Sequence, residues 1–169
     1  MDPTTTVASV AVIIAAKDEA DRIVTTVSAA RRIAGVDLVI VVDDGSADAT
    51  GRLAADAGAL VLSHPRNRGK ATAMATGARA VADQDINDPT VSGGARLLLF
   101  IDADLEHSAA NAAALVAPVA SGDADMTIAI LPPPEVDTAA VGHALSVPRG
   151  VRGGITVGSG LGRRGWAHH

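Results

Sequence analysis

The strongest constraint on this chain is a set of short runs rich in Val, Ile and Leu that do not alternate with polar residues. They occupy residues 7–16 (VASVAVIIAA), 37–42 (DLVIVV), 96–101 (RLLLFI) and 125–131, with a shorter run at 59–63. A strand with one wet face alternates apolar and polar positions, whereas an uninterrupted run is buried on both faces, the habit of parallel sheets covered by helices. The segments between the runs read as helices. Asp18 and Glu19 open one that extends to about Ala34, with Ile23, Val27 and Ala30 on one face. A second runs from about Asp48, with Ser46 or Asp48 as its N-cap, and ends at Gly58. An alanine-rich third covers 71–82, and a fourth covers 109–117 behind a Ser108 cap, while 83–94 reads as a surface loop. Strand and helix in alternation predict an α/β fold, a mostly parallel open sheet with flanking helices.

That pattern ends at residue 131. The last 38 residues hold 8 glycines and 4 prolines, including Pro132-Pro133-Pro134, and carry four arginines against Glu135 and Asp137. Residues 1–131 carry ten basic and seventeen acidic side chains. The division predicts a domain over 1–131 and a loosely structured Gly/Pro-rich extension over 132–169.

Composition removes several functional classes. At 169 residues with 48% hydrophobic side chains, the chain can build one core. A net charge of -5 leaves no excess of Lys and Arg for nucleic-acid phosphates. Without cysteine there is no disulfide framework, thiolate nucleophile or Cys-based zinc site. The longest apolar run is about half the roughly 20 residues a membrane helix requires, and Met-Asp-Pro lacks the basic start of a secretory signal. These features predict a cytoplasmic protein without a transmembrane segment. One Phe, one Trp and no Tyr leave few rings for stacking on bases or sugars.

The distinctive polar residues all follow strand C-termini, where open parallel sheets bind their ligands. Lys17-Asp18-Glu19 follow the first strand, Asp43-Asp44-Gly45-Ser46 the second, Arg66–Lys70 the third and Asp102-Ala103-Asp104 the fourth. Asp102 and Asp104 are two residues apart, so in an extended segment both carboxylates lie on one side. Two carboxylates with phosphate oxygens suit Mg²⁺ or Mn²⁺. Lys70, after Gly69 at a helix start, suits a phosphate. Asp43 and Asp44 repel unless donors or a cation compensate, and either can accept a hydrogen bond from a ribose or a base imino group. His107 lies within reach of a metal but reads as solvated, and His64 has no partner that the sequence identifies.

Four segments, VAVIIAAKDEADRI, LVIVVDDGSADAT, NRGKATAMATGARA and LLLFIDADLEH, together resemble family 2 glycosyltransferases. The similarity covers about residues 7–131 and is nearest to dolichyl- and polyprenyl-phosphate sugar transferases. It implies the Rossmann-like GT-A nucleotide-sugar-binding fold and transfer of a sugar from a UDP- or GDP-sugar to a polyprenyl phosphate or small acceptor, with a divalent metal. By this resemblance Ala15, Lys17 and Asp44 border the base, with Glu19, Asp43 and Asp102 in the same nucleotide-binding set. Lys70 meets the nucleotide or its diphosphate, and Asp102 and Asp104 form the metal-binding D-x-D. The family's first motif commonly reads Pro-Ala-x-Asn-Glu, where this chain has Ala15-Ala16-Lys17-Asp18-Glu19. No catalytic base is marked, and the region matching no family motif implies that the acceptor half is lacking. The alternative is therefore a donor-binding domain without transfer activity of its own, with apolar surface available for self-association.

Two other motifs fail. Gly69-Lys70 is followed by Ala71 and lacks the upstream Gly of a phosphate-binding P-loop. FIDAD resembles the nucleophile motif of haloacid-dehalogenase phosphatases, but that motif stands near the N-terminus with a cap and a later Lys, which are missing here.

Overall fold

The computed structural model of the chain describes residues 8–89, 91 and 95–129, and the backbone of 144–146 and 154–157. Seven strands form one sheet: β1 (Val10–Ala16), β2 (Val36–Asp43), β3 (Leu60–Ser63), β4 (Leu97–Asp102), β5 (Met126–Ala129), β6 (Ala144–Ser146) and β7 (Gly154–Val157). Their order is β3-β2-β1-β4-β7-β5-β6, parallel throughout except where β6 pairs antiparallel with β5. Helices α1 (Ile23–Ala30), α2 (Thr50–Asp56), α3 (Lys70–Asn87) and α4 (Ala113–Ala120) cover it, with a 3₁₀ helix at Glu106–Ala112. The predicted α/β fold is the one observed.

β1 lies in the interior, and every residue of it is buried. Val10, Val12 and Ile14 face one layer, where they meet Ile23 and Val27 of α1 and Leu115 and Val116 of α4. Ala11, Ile13 and Ala15 face the other, with Ile40 and Val42 of β2 and with Ala73 and Val81 of α3. The period-two alternation of β-strand side chains thus feeds two cores instead of one core and solvent. The small side chains on the second face let α3 approach closely. A Cβ built on Gly77 would lie 2.5 Å from Ile13 Cγ2 and 3.3 Å from Val42 Cγ2.

At the opposite edge of the sheet from the polar cluster, Arg96 closes the entrance to β4. Its guanidinium bonds Asp37 at 2.8 Å, Asp85 at 2.5 Å and Asp88 at 2.7 Å. Burial by itself would lower its pKa, but these carboxylates outweigh burial and hold it above the ordinary value. The cluster also explains a difference from expectation. α3 continues to Asn87 through residues expected in a loop, because Asp85 of its last turn accepts from the Arg96 backbone N–H and side chain.

Other boundaries differ for equally local reasons. α1 starts at Ile23, not at Asp18, because residues 18–20 bond to the loop after β2. Ser108 sits inside the 3₁₀ helix and donates to the Leu105 carbonyl instead of capping. Segment 132–169, expected as a loose extension, supplies β6 and β7; β7 lies between β4 and β5, pairing Leu99 with Ile155 and Thr127 with Ile155. Val7 and residues 130–131 of the predicted strands lie outside the described residues, as does the rest of the extension. Among the described residues no helix is long and apolar enough to cross a membrane.

Gly77→Ala tests the seating of α3. The added methyl must displace a β-branched side chain in a packed core, so stability should fall by about 1–3 kcal/mol, read as a lower urea midpoint with unchanged slope. An unchanged midpoint would mean that α3 stands farther from the sheet.

Candidate functional site

The sheet order changes direction between β1 and β4, and this is where an open α/β sheet leaves a crevice at its carboxyl edge. Parallel register aligns the strand ends there: Ala15 beside Asp102, and Ala16 beside Asp43. The Asp44 N–H continues the ladder to the Ala16 carbonyl at 2.8 Å. Ala15 faces the α3 layer, and Lys70, the first residue of α3, places its Nζ on Asp102 Oδ1. Asp102 is 9% exposed and Ala15 6%. Lys70 also stands where the first-turn N–H groups have no partner within the helix. A cation, a helix N-terminus and a carboxylate therefore meet at the carboxyl edge of the sheet beside β1 and β4.

Asp43 and Asp44 escape their mutual repulsion by pointing to different partners. Asp43 Oδ1 accepts the Ser46 N–H at 2.9 Å, and its Oδ2 lies against α2, where a Cβ on Gly51 would stand 2.7 Å away. Asp44 is wholly buried. Its carboxylate accepts the backbone N–H groups of Arg68 at 2.9 Å and Gly69 at 2.8 Å, and lies 2.5 Å from His64 Nδ1. His64 Nε2 in turn meets Thr76 Oγ1 of α3 at 3.1 Å. Asp44, expected to border a base, is placed where its oxygens hold the 64–69 loop that delivers Lys70. The unassigned His64 is the second post of that loop. Neither role is legible locally, because the partners are twelve to twenty-five residues away.

The loops after β1 and β2 are stitched together by side chains. Asp18, with φ of 55°, donates its N–H to Ser46 Oγ at 3.0 Å and accepts the Ala47 N–H at 2.7 Å. Asp48 accepts the Ala20 N–H at 3.1 Å, and Thr50 Oγ1 accepts the Glu19 N–H at 2.8 Å while donating to Asp48. Ser46 is thus used across the loops instead of capping α2, whereas Asp48 does accept the Thr50 N–H at 2.9 Å. Lys17 pairs with Asp18 at 2.5 Å. That hydrogen bond and the one from Ala47 hold the Asp18 carboxyl below its usual range.

Glu19 carries the clearest electrostatic signal. Burial pushes its carboxyl up; Arg22, 2.5 Å away, opposes the shift, and the negative charge of Asp104 adds to it. Glu19 and Asp104 therefore share one electrostatic environment, although they come from different strands. Asp104 follows Asp102 in a turn whose neighbours are pinned by Thr26 of α1. The buried Thr26 hydroxyl donates to the Ala103 carbonyl at 2.7 Å and accepts the Glu106 N–H at 2.9 Å. Thr26 is absent from the sequence-derived set. Its available signal is a hydroxyl beside Ile23 and Val27 on the stripe that α1 buries. His107 is exposed, as expected. Among the described residues no group of three or more His, Cys, Asp or Glu side chains could by itself hold a metal.

The sequence of the chain matches the family described as glycosyl transferase family 2 over residues 11–159. The chain belongs to that family. The match extends past residue 131 and takes in both late strands. Solved structures agree on the fold. A mycobacterial protein is 26% identical with a TM-score of 0.52, over 72% of this chain and 40% of that one. Glucosyl-3-phosphoglycerate synthase from Mycobacterium tuberculosis, crystallised with Mn²⁺, UDP and glucosyl-3-phosphoglycerate, is 24% identical with a TM-score of 0.52, over 72% of this chain and 43% of that one. The same enzyme was also crystallised with Mg²⁺ and UDP. This family 2 chain thus spans about two fifths of the length of these structures. A comparison with curated proteins finds no match.

The raised Glu19 pKa has a defined consequence for this family 2 domain. A carboxyl whose folded pKa exceeds its unfolded value, here 4.5, supports the fold below that value, and the support is lost as pH rises through the folded pKa. Glu19→Gln, which cannot ionise, should therefore raise the melting temperature at pH 7 and give no gain at about pH 4. Thermal denaturation of both proteins at the two pH values checks this. A loss at pH 7 would show that the pair with Arg22 outweighs burial.

Proposed function

We propose that this chain is the donor-binding part of a glycosyltransferase, holding a nucleotide-diphosphate sugar for transfer to an acceptor. The observation that carries the reading is the meeting of Lys70 with Asp102 at the sheet crevice, beside the start of α3. Lys70 and the helix start attract a diphosphate. The carboxylates favour a cation: Asp102 and Asp104 are hard oxygen donors. The donor set fits Mg²⁺ or Mn²⁺, with Asp102 and Asp104 as its protein ligands, and two carboxylates suit an ion that completes its shell with water and phosphate oxygens. Such an ion supplies charge neutralisation to a departing diphosphate.

In this mechanism an acceptor oxygen bonds to the anomeric carbon while the bond from that carbon to the diphosphate breaks; a phosphate oxyanion has no proton to lose, and a hydroxyl passes its proton to the departing diphosphate. Lys70 stabilises the charge that develops on the leaving diphosphate. Asp44 and His64 act at one remove by holding the loop before Lys70. Ala15, Lys17, Glu19 and Asp43 line the edge on which the nucleoside rests. UDP is the first candidate because glucosyl-3-phosphoglycerate synthase was crystallised with it, with GDP as the competitor; the acceptor is a polyprenyl phosphate or a small molecule. The alternative is donor binding without transfer. Acceptor-dependent transfer by the isolated chain would exclude it.

Thermal shift with UDP, GDP and their sugar conjugates, each with and without Mn²⁺, tests donor binding. A ligand at 100 times its dissociation constant adds about 2.7 kcal/mol, a shift of several degrees. Asp104→Asn should remove the Mn²⁺-dependent part while the protein stays folded, as near-ultraviolet circular dichroism would show. Unfolding of that variant, or no shift with any nucleotide, would overturn the reading.

A further inference from the structure

We infer that Thr26 is a positioning residue for the D-x-D: its hydroxyl clamps the turn that carries Asp104 and thereby sets how tightly that carboxylate holds a divalent cation. The inference rests on the reading of Asp102 and Asp104 as cation ligands. Thr26 comes from α1, on the other side of β1 from the α3 layer in which Ala15 lies. Its side chain is fully buried. Three contacts meet at Oγ1: donation to the Ala103 carbonyl at 2.7 Å, acceptance of the Glu106 N–H at 2.9 Å, and a longer contact to the Arg22 carbonyl at 3.2 Å.

Ala103 and Glu106 flank Asp104, so one hydroxyl ties the chain on both sides of the ligand. The tie also bears on the backbone conformation of the turn. Glu106 has φ of 48°, a left-handed conformation that non-glycine residues seldom adopt unless their surroundings impose it. The Thr26 bond to the Glu106 N–H is such an imposition. Outer groups that orient a metal ligand commonly alter metal affinity by 10–100-fold. The methyl of Thr26 belongs to the packed face of α1, so the hydroxyl and not the bulk of the side chain is the active feature. Thr26→Val and Thr26→Ser separate the two.

The experiment uses the full chain and two readouts. The first is UDP affinity by calorimetry with and without Mn²⁺. Thr26→Val should reduce the Mn²⁺ enhancement of UDP binding about tenfold or more while metal-free UDP affinity stays within twofold; Thr26→Ser should restore the enhancement. The second is amide hydrogen exchange in the native protein without metal, where the Glu106 N–H should be protected, and Thr26→Val should remove that protection. Exchange of Glu106 in the native protein at the rate of an open loop would overturn the clamp even if Thr26→Val failed to fold. A folded Thr26→Val with an undiminished Mn²⁺ enhancement would overturn the inference and leave the D-x-D reading standing. Absence of any Mn²⁺ enhancement in the native chain would overturn both.

Discussion

A strand buried on both faces cannot have a polar side chain along its length without a partner, and β1 has none from Val10 to Ala16. That constraint organises the molecule. β1 requires strands on both sides, supplied by β2 and β4 in parallel register, and helices on both faces. Parallel pairing puts the carboxyl ends of the three strands at one edge, and the polar residues excluded from β1 begin there, at Lys17. Because β2 and β4 lie on opposite sides of β1, Asp43 and Asp102 flank the end of the central strand.

The crevice edge is made of loops, and loops need their backbone groups satisfied. Here short polar side chains do most of that work: Ser46, Asp48 and Thr50 for the turn after β1, Asp44 for the 64–69 loop, and Thr26 for the D-x-D turn. Each donor or acceptor reaches across from a different βα unit, so the loops stiffen one another. Buried groups dominate this arrangement. A wholly buried carboxylate that accepts two backbone N–H groups loses far more if unpaired than a surface pair such as Arg52–Asp56, both partners of which are more than 60% exposed. Asp44 is accordingly a structural element of the candidate site, and Lys70 the group that the element delivers.

Much of the fold and part of the site are legible from residue order. The apolar runs mark β1 to β5 within a few residues, and the clustering of acids and Lys70 after strands marks the edge at which Lys70 meets Asp102. The misreadings have one physical form. Segment 83–87 looks like a loop because its Asp and Asn residues disfavour helix, yet Asp85 gains a buried guanidinium only when β4 is in place. Ser46 looks like an N-cap because that is its best local use, yet Asp18 offers a bond from another loop. The Gly-rich sequence around β7 has too little apolar pattern to announce a strand, and the slot between β4 and β5 supplies the pairing.

Period and composition in the sequence determine the alternation of strand and helix, the burial of β1 on both sides and the edge at which polar residues gather, because these follow from interactions between near neighbours and from hydrophobicity alone. Which acid does what was decided only by the tertiary structure. Asp43, Asp44, Asp102 and Asp104 are chemically alike along the chain, and they diverge because register and long-range partners give Asp44 a buried loop to hold, Asp102 a lysine, and Asp104 a turn pinned by a threonine from another helix.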